Sequence, residues 1–171
     1  MLTIKHYRRP IATISVGGEK ARLTPGVLSK FSTALASKEV NIYAIGNGEN
    51  YLSFFVDEAE VEKATLILTD TVSKTPFESM SVKRNMGMIS ITGEELINTP
   101  GLLHKLLYPL AKEKINIYAI TSSRDSILMI FEYGDAEKAY KILNAYIPVK
   151  IGIFKHAKEQ VKEIIKKIIP K

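Results

Sequence analysis

The feature that most constrains this sequence is an internal repeat with a period of 75 residues. Ile14 to Leu68 aligns with Ile89 to Leu143 without a gap, and 21 of the 55 aligned positions are identical. Self-similarity at a fixed period marks repeated structural units. The chain of 171 residues is therefore predicted to hold two copies of one small fold rather than a single larger domain.

Each copy is predicted to run strand, helix, strand, strand, helix, strand, from its apolar periodicity and turn residues. In the first copy the strands are expected at 11–16, 41–45, 51–56 and 78–83, and the helices at 25–38 and 59–68. In the second copy the strands are expected near 87–92, 116–121, 126–132 and 149–154, and the helices near 100–113 and 135–146. This order predicts an α+β protein with two ferredoxin-like (βαββαβ) domains in tandem.

The expected boundaries are 1–84 for an N-terminal arm with the first copy, 85–154 for the second copy, and 155–171 for a basic amphipathic C-terminal helix. The helix is predicted from an apolar stripe that lies beneath lysines and requires a partner surface. The stripe consists of Val161, Ile164, Ile165, Ile168 and Ile169.

Charge is concentrated at the two ends of the chain. The first 18 residues hold three basic residues and no acidic one, residues 155–171 hold six lysines and two glutamates, and the repeats between them are nearly neutral. A duplicated nucleic-acid platform would carry its basic stripe in both copies, so the repeats do not predict nucleic-acid binding.

Composition also bounds the setting in which the protein works. The chain has no cysteine, no signal peptide and no apolar run that could span a membrane, so we expect a cytoplasmic protein without a membrane contact. Because two small cores bury little apolar surface, a homodimer is expected.

The sequence holds no recognisable catalytic constellation. The histidines His6, His104 and His156 share no ligand spacing, and neither a GxxxxGK[ST] nor a GxGxxG motif occurs. We therefore predict no metal site, no cofactor and no enzyme activity.

Binding is better supported than catalysis, at three places. The turns Thr24-Pro25-Gly26 and Thr99-Pro100-Gly101 can present helix amides to a carboxylate, although the same residues would also merely begin a helix. Asn41 and Asn116 begin predicted strands, where the chain leaves a helix, and each could bind a ligand or satisfy backbone groups. The hairpin loops differ between copies, and Thr121, Ser122 and Ser123 could hold an ammonium or hydroxyl group or lie at a solvated tip.

Several short segments characterise the two copies by their order and spacing. In the first copy these are Ile14-Ser15-Val16, Thr24-Pro25-Gly26-Val27, Val40-Asn41-Ile42 and Phe54-Phe55-Val56-Asp57. In the second copy they are Ile89-Ser90-Ile91, Thr99-Pro100-Gly101-Leu102, Ile115-Asn116-Ile117 and Ile120-Thr121-Ser122-Ser123. Together these segments resemble ACT domains of the aspartokinase type, and the resemblance covers residues 11–154.

The resemblance implies a regulatory tandem that binds an amino-acid effector, such as lysine or threonine, at interfaces between ACT units. In that family the helix start of one unit faces the second strand of a neighbour. By this resemblance, one side of the effector site would be Asn98, Thr99, Gly101 and Leu102, and the other side Asn41 and Ile42 or Asn116 and Ile117. The equivalent corner of the first copy would be Thr24, Gly26 and Val27.

Two departures from the family pattern shape the expectation. The first copy has Leu23 where the second has Asn98, so the first pocket is expected to be the weaker candidate. The aspartokinase catalytic domain, with its Lys-Phe-Gly-Gly motif, is absent from the sequence. We therefore expect a regulatory subunit or a free-standing regulator that controls a catalytic or regulatory protein partner. The alternatives are an ACT-based regulator that binds nucleic acid through its basic arm and tail, and an interaction scaffold without a ligand.

Overall fold

The structure is a computed structural model that describes residues 2–19 and 25–150. Its six strands in these residues are β1 (Thr3–Gly17), β2 (Ile42–Asn47), β3 (Tyr51–Asp57), β4 (Ser79–Thr92), β5 (Ala119–Ser122) and β6 (Ser126–Glu132). Its five α-helices there are α1 (Val27–Ala36), α2 (Val61–Val72), α3 (Glu95–Asn98), α4 (Leu102–Lys112) and α5 (Tyr133–Lys150), and a short 3-10 helix (Glu58–Glu60) precedes α2. The predicted α+β class is confirmed.

The described chain divides into two compact units. One unit is Arg8–Met86, and the other joins the start of the chain up to Tyr7 with the residues from Gly87 onward. β1 and β4 each contribute residues to both units, because each is a single long strand. The division falls between Met86 and Gly87, and residues 2–7 group with the second copy.

The first unit has the strand order β2-β3-β1-β4. β1 pairs with β3 antiparallel from Ile11 opposite Asp57 to Gly17 opposite Tyr51, and β2 pairs antiparallel with the other edge of β3. At the end of β1, the Glu78 amide donates to the Gly17 carbonyl at 2.9 Å. This is the strand order of the predicted ferredoxin-like arrangement.

The core of the first unit lies between the sheet and its two helices. Alternate residues of β1 face the helices, because successive side chains of a strand point to opposite faces. Phe31 of α1 is fully buried there, with its ring 5.7 Å from that of Phe54 and 5.2 Å from that of Phe77. The same core includes Ile14, Val16, Leu35, Val56 and Leu68.

The second unit repeats this plan with one change of connectivity. The order β4-β6-β5 is continued on the other side of β4 by β1, whose first residues belong to this unit. Leu2 is buried in the second core and Ile4 packs against it, while Thr3 and Lys5 are exposed. The first part of β1, up to Tyr7, is therefore a strand of the second sheet, and its exposed and half-buried residues alternate as expected for a strand that is buried on one face.

The expected final strand near 149–154 is wrong at its first two positions, which belong to a helix. Helix α5 continues through Lys150, and residues 151–154 lie outside the described residues, as does the predicted C-terminal helix 155–171. The start of the chain takes the position that the repeat assigned to that strand. A pattern search cannot find this exchange, because strand pairing across about 85 residues leaves no local signal.

Smaller differences concern element ends. The strand expected at 116–121 begins at Ala119, and the strands expected at 78–83 and 87–92 are parts of one strand, β4. Helix α4 contains Pro109, which is buried, at the position where the first copy has Ala34 in α1. Such shifts of a few residues reflect hydrogen bonding that local periodicity does not specify.

The backbone confirms the repeat in detail. Glu39 and Lys114, which are aligned in the two copies, both have a φ of 57° after their helices. The following residues close the same turn, since the Val40 amide donates to the Leu35 carbonyl at 3.1 Å and the Ile115 amide to the Leu110 carbonyl at 3.0 Å. Equivalent left-handed helix ends place the two copies of the second strand in the same way.

Candidate functional site

The candidate site begins at the turn that leads into α4. Gly101 caps this helix with a φ of 75°, a left-handed conformation that favours glycine, and no side chain caps the helix. A Cβ atom built on Gly101 would meet nothing within 4 Å, so the backbone here is open to a ligand. The first turn of α4 therefore presents amide groups and the positive end of its dipole toward open space.

A cavity of about 320 Å³ lies beside this turn, within the second unit. One part of its wall is polar or backbone and is formed by Thr99, Pro100, Gly101, Ser122 and Ser123. The other part is aliphatic and is formed by Leu96, Ile97, Leu102, Leu103 and Ile127. Its volume is within the range of small-molecule sites, and its mixture of apolar walls with few polar groups is typical of them.

The hairpin between β5 and β6 supplies the serines of this wall. The Ser123 amide donates to the Ser126 carbonyl at 2.8 Å and closes the turn. The Ser123 and Ser126 hydroxyl oxygens lie 2.6 Å apart, and the Ser123 hydroxyl donates to Asp125 Oδ1 at 3.3 Å. These contacts fix Ser123 while leaving it at the cavity wall.

Five of the residues predicted from the sequence meet at this cavity: Thr99, Gly101, Leu102, Ser122 and Ser123. They are separated by about 20 residues in sequence, and the packing of α4 beside β5 and β6 brings them together. Leu102 is buried and anchors the start of α4 in the second core. The combination of helix start and hairpin loop is thus a single surface in the structure.

The remaining predicted residues of the second unit lie apart from the cavity wall. The Asn98 side-chain amide donates to the Glu94 carbonyl at 3.2 Å, which closes its own turn. Asn116 is exposed before β5, and Ile117 packs against the second core. Thr121 is half-buried on β5 and is not part of the lining.

The corresponding residues of the first unit are found in equivalent local structures. Gly26 caps α1 with a φ of 81°, and Val27 is buried behind it, while Thr24 lies outside the described residues. The Asn41 backbone N–H donates to Glu60 Oε2 at 3.4 Å, and Ile42 packs against the first core. This contact uses the backbone of Asn41, so the role of its side chain stays a prediction.

Apart from Leu102, sequence reasoning missed the aliphatic part of the wall. Ile97 and Leu103 both line the cavity and are 41% and 42% exposed, so their side chains remain accessible. A signal for Leu103 was present, since the aligned residue of the first copy, Leu28, is also a leucine and is 41% exposed. Ile97 had no such signal because its aligned position is an arginine, Arg22.

Among the described residues, no group of three or more histidine, aspartate or glutamate side chains could hold a metal ion. His6 lies in β1 with Nδ1 at 3.1 Å from Glu137 Oε2, and His104 is exposed on α4 with its ring 5.9 Å from that of Tyr108. His156 lies outside the described residues. Over the part of the chain that the structure describes, no helix is both long and apolar enough to span a bilayer.

With this geometry defined, comparison with known proteins identifies the fold. The ACT domain family matches residues 14–71 and, in a second match, residues 81–145. The two matches coincide with the two copies of the repeat.

Comparison with individual proteins finds aspartokinases. The chain is 22% identical to aspartokinase 2 of Bacillus subtilis (strain 168) over 142 residues, which are 81% of this chain and 34% of that protein. It spans about a third of the length of the curated aspartokinases of bacteria that it matches.

Two solved structures share its fold over nearly their whole chains. A structure of aspartokinase alpha and beta subunits superposes with a TM-score of 0.75 at 23% identity, covering 86% of this chain and 99% of that chain. The regulatory subunit of aspartate kinase from Thermus thermophilus superposes with a TM-score of 0.73 at 22% identity, covering 85% of this chain and 99% of that chain. The chain therefore carries two ACT domains in tandem, is similar to aspartokinase regulatory regions, and belongs to the ACT-domain family.

Proposed function

We propose that the chain is a regulatory module that binds a small amino-acid effector, such as lysine or threonine, and controls a protein partner allosterically. The observation that carries this proposal is the cavity at the start of α4, where Thr99, Gly101 and Leu102 meet Ser122 and Ser123. An amino acid presents a carboxylate, an ammonium group and a side chain. The positive end of the α4 dipole attracts the carboxylate, and the hydroxyl oxygens accept hydrogen bonds from the ammonium group.

Regulation requires that the effector bind two arrangements of the protein with different affinity. β5 is an edge strand of the second sheet, and two large side chains near this edge, Tyr118 and Ile120, are 43% and 42% exposed. An exposed apolar edge beside a ligand cavity favours an interface there with a second copy of the chain. In this homodimer an effector in the cavity would also contact the partner subunit and so bias the assembly.

The proposed partner is the catalytic chain of an aspartate kinase. Support comes from the two solved structures described above, because each has a chain of nearly the same extent as this one that is called a subunit. In this proposal the chain does no chemistry of its own and acts on the kinase through its effector-bound state.

Calorimetric titration of the purified, dialysed protein with the twenty common amino acids tests ligand binding. One amino acid should bind and should raise the unfolding midpoint, since a ligand specific for the folded state stabilises it. Ser122→Ala should weaken that binding about tenfold, as expected for the loss of one polar contact to a charged group. Asn47→Ala, which changes the aligned residue of the first unit, is the matched control and should leave it unchanged. Absence of heat with every amino acid would contradict the proposal.

Control of a partner is tested separately. An aspartate kinase catalytic chain should respond to the effector when this chain is present and should not respond without it. Light scattering should show a dimer whose stability depends on the effector. A kinase that responds equally with and without this chain would contradict the proposed partner while leaving ligand binding intact.

A further inference from the structure

The cavity carries information about the kind of side chain its ligand has. Ile97, at the end of α3, and Leu103, in the first turn of α4, both line it and are 41% and 42% exposed. Burying the accessible surface of large aliphatic side chains that line a cavity is favourable when an apolar group of a ligand covers them. Ile127 of β6, which is buried, also lines the cavity.

The polar side of the cavity offers uncharged groups. Its side chains there are the hydroxyls of Thr99, Ser122 and Ser123, and none of the ten lining residues carries an ionisable side chain. Two charged residues lie in the neighbouring turn: Asp125, which is exposed and accepts a hydrogen bond from the Ser123 hydroxyl, and Arg124, which is also exposed. Neither of them is part of the cavity wall.

The polar groups and the aliphatic residues of the cavity suit different parts of an amino acid. The dipole at the start of α4 and the hydroxyls suit the α-carboxylate and α-ammonium groups that every amino acid has. The aliphatic surface suits the part that differs between amino acids. A charged side chain placed against Ile97 and Leu103 would lose hydration and find no opposite charge in the cavity wall, which is unfavourable.

We propose that the effector is an amino acid with a short, uncharged, branched side chain, aliphatic or hydroxyl-bearing, and that Ile97 and Leu103 determine this preference. The proposal depends on the proposed function, since it concerns the ligand of that same cavity. It selects threonine-like over lysine-like effectors.

Titration calorimetry with valine, threonine, lysine and aspartate tests the preference directly. Valine or threonine should bind at least about tenfold more tightly than lysine and aspartate, because a favourable apolar fit and an unpaired charge act in the same direction. Valine and threonine have nearly the same shape, so their ratio measures the contribution of the wall hydroxyls. The proposal is supported whether valine or threonine has the higher affinity.

Substitution of Leu103 locates the preference. Leu103→Asp should weaken valine and threonine binding at least about tenfold and should narrow or reverse the difference from lysine, since it adds a carboxylate to the wall. Leu103→Ser, which adds no charge, should weaken the same ligands without favouring lysine. Leu28→Asp is the matched control, because Leu28 is the aligned residue of α1 and is 41% exposed. It should leave all four affinities unchanged.

The outcomes separate this inference from the function on which it depends. Tighter binding of lysine or aspartate than of valine and threonine would overturn the inference and leave the regulatory module intact. Binding of valine or threonine that Leu103→Asp and Leu103→Ser both leave unchanged would also overturn it, since the ligand would then lie elsewhere. No binding of any amino acid would overturn both.

Discussion

The two ACT units share a backbone but differ at the corner between the helix start and the hairpin. In the first unit the Gly48 amide donates to the Tyr51 carbonyl at 3.0 Å, and in the second the aligned Ser123 amide donates to the Ser126 carbonyl at 2.8 Å. The Tyr51 ring lies across its turn, so that a side chain at Gly48 would clash with it. In the second unit two small serines occupy the aligned positions, and Ser123 lines the cavity.

This difference shows how a duplicated fold can specialise without changing its backbone. The turn hydrogen bonds and the glycine helix caps, which position the chain, are the same in both units. The side chains over the turn, which decide whether space is left for a ligand, have diverged. Loop side chains can thus change ligand specificity while the backbone fold stays the same.

A second difference concerns the fourth strand of each sheet. The first unit uses the chain that follows its second helix, the early part of β4, whereas the second unit uses the start of the chain in β1. His6 holds that start in place, because its ring stacks on Tyr140 with 5.5 Å between ring centroids and its Nδ1 lies 3.1 Å from Glu137 Oε2. Both partners belong to α5.

The largest effect is expected where α5 approaches the sheet of the second unit. A Cβ atom on Gly87 would clash with the Ala136 side chain, so Gly87→Ala should destabilise the protein by about 3 kcal/mol through overpacking. The aligned residue of the first unit is Ala12, which is fully buried, and Ala12→Gly should cost about 1 kcal/mol.

Urea unfolding gives both free energies, and hydrogen exchange by mass spectrometry locates the loss. Protection should fall in residues 87–150 for Gly87→Ala and in the first unit for Ala12→Gly. If Gly87→Ala were no more destabilising than Ala12→Gly, the close approach of α5 to β4 would not exist in solution.

Release of the N-terminal strand is the next largest effect. His6→Ala removes the ring stacking on Tyr140 and the contact with Glu137 of a side chain that is 10% exposed, and should cost about 2 kcal/mol. Arg9→Ala, which removes an 88% exposed side chain 4.0 Å from Asp57, should change stability by less than about 0.5 kcal/mol. Hydrogen exchange should quicken in residues 2–7 for His6→Ala only, and equal protection in both variants would refute the role of His6.

Exchanging the aligned hairpin residues Tyr51 and Ser126 tests whether a tyrosine over the turn blocks ligand binding. Ser126→Tyr should place a ring over Ser123, as Tyr51 does over Gly48, and should weaken effector binding at least about tenfold, or about 1.4 kcal/mol. The reverse change, Tyr51→Ser, should leave effector affinity unchanged because it lies outside the second unit. Unchanged affinity in Ser126→Tyr, measured by calorimetry, would mean that the ligand does not use this cavity wall.

The smallest effect is a pH dependence in the first unit. Burial and the neighbouring Asp57 carboxylate, to which the Tyr43 hydroxyl donates at 3.2 Å, raise the pKa of Tyr43 above its ordinary value of 10.0. Below pH 10 the neutral phenol is present in folded and unfolded chains alike, and its contribution to stability is complete. As pH rises toward the higher folded-state pKa, the unfolded chain ionises first and this contribution is lost.

Ultraviolet titration and unfolding at alkaline pH measure this effect. Tyr43→Phe should remove one late-titrating phenol and flatten the fall in stability above pH 10, and Asp57→Asn should lower the pKa of Tyr43. Tyr118→Phe changes the aligned tyrosine of the second unit and should leave the titration of Tyr43 in place. A Tyr43→Phe variant with the same alkaline profile as the parent would disprove the contact.

Much of the molecule was predictable from its sequence because the relevant interactions are local and occur twice. The 75-residue repeat, the alternation in the strands and the Thr-Pro-Gly helix starts predicted two ferredoxin-like units and placed most elements within a few residues. Five of the candidate residues meet at one cavity, since both the helix start and the hairpin loop were marked by turn residues.

Tertiary structure alone decided which strand completes the second sheet, how α5 fits against Gly87, and which side chains face the cavity. The start of the chain joins the second unit because its alternating Leu2, Ile4 and His6 fit that core, a match between segments far apart in sequence. The Asn98 side chain donates to the Glu94 carbonyl, whereas the neighbouring Ile97 lines the cavity. Such choices depend on the packing of several elements together, which periodicity and residue type within one segment do not specify.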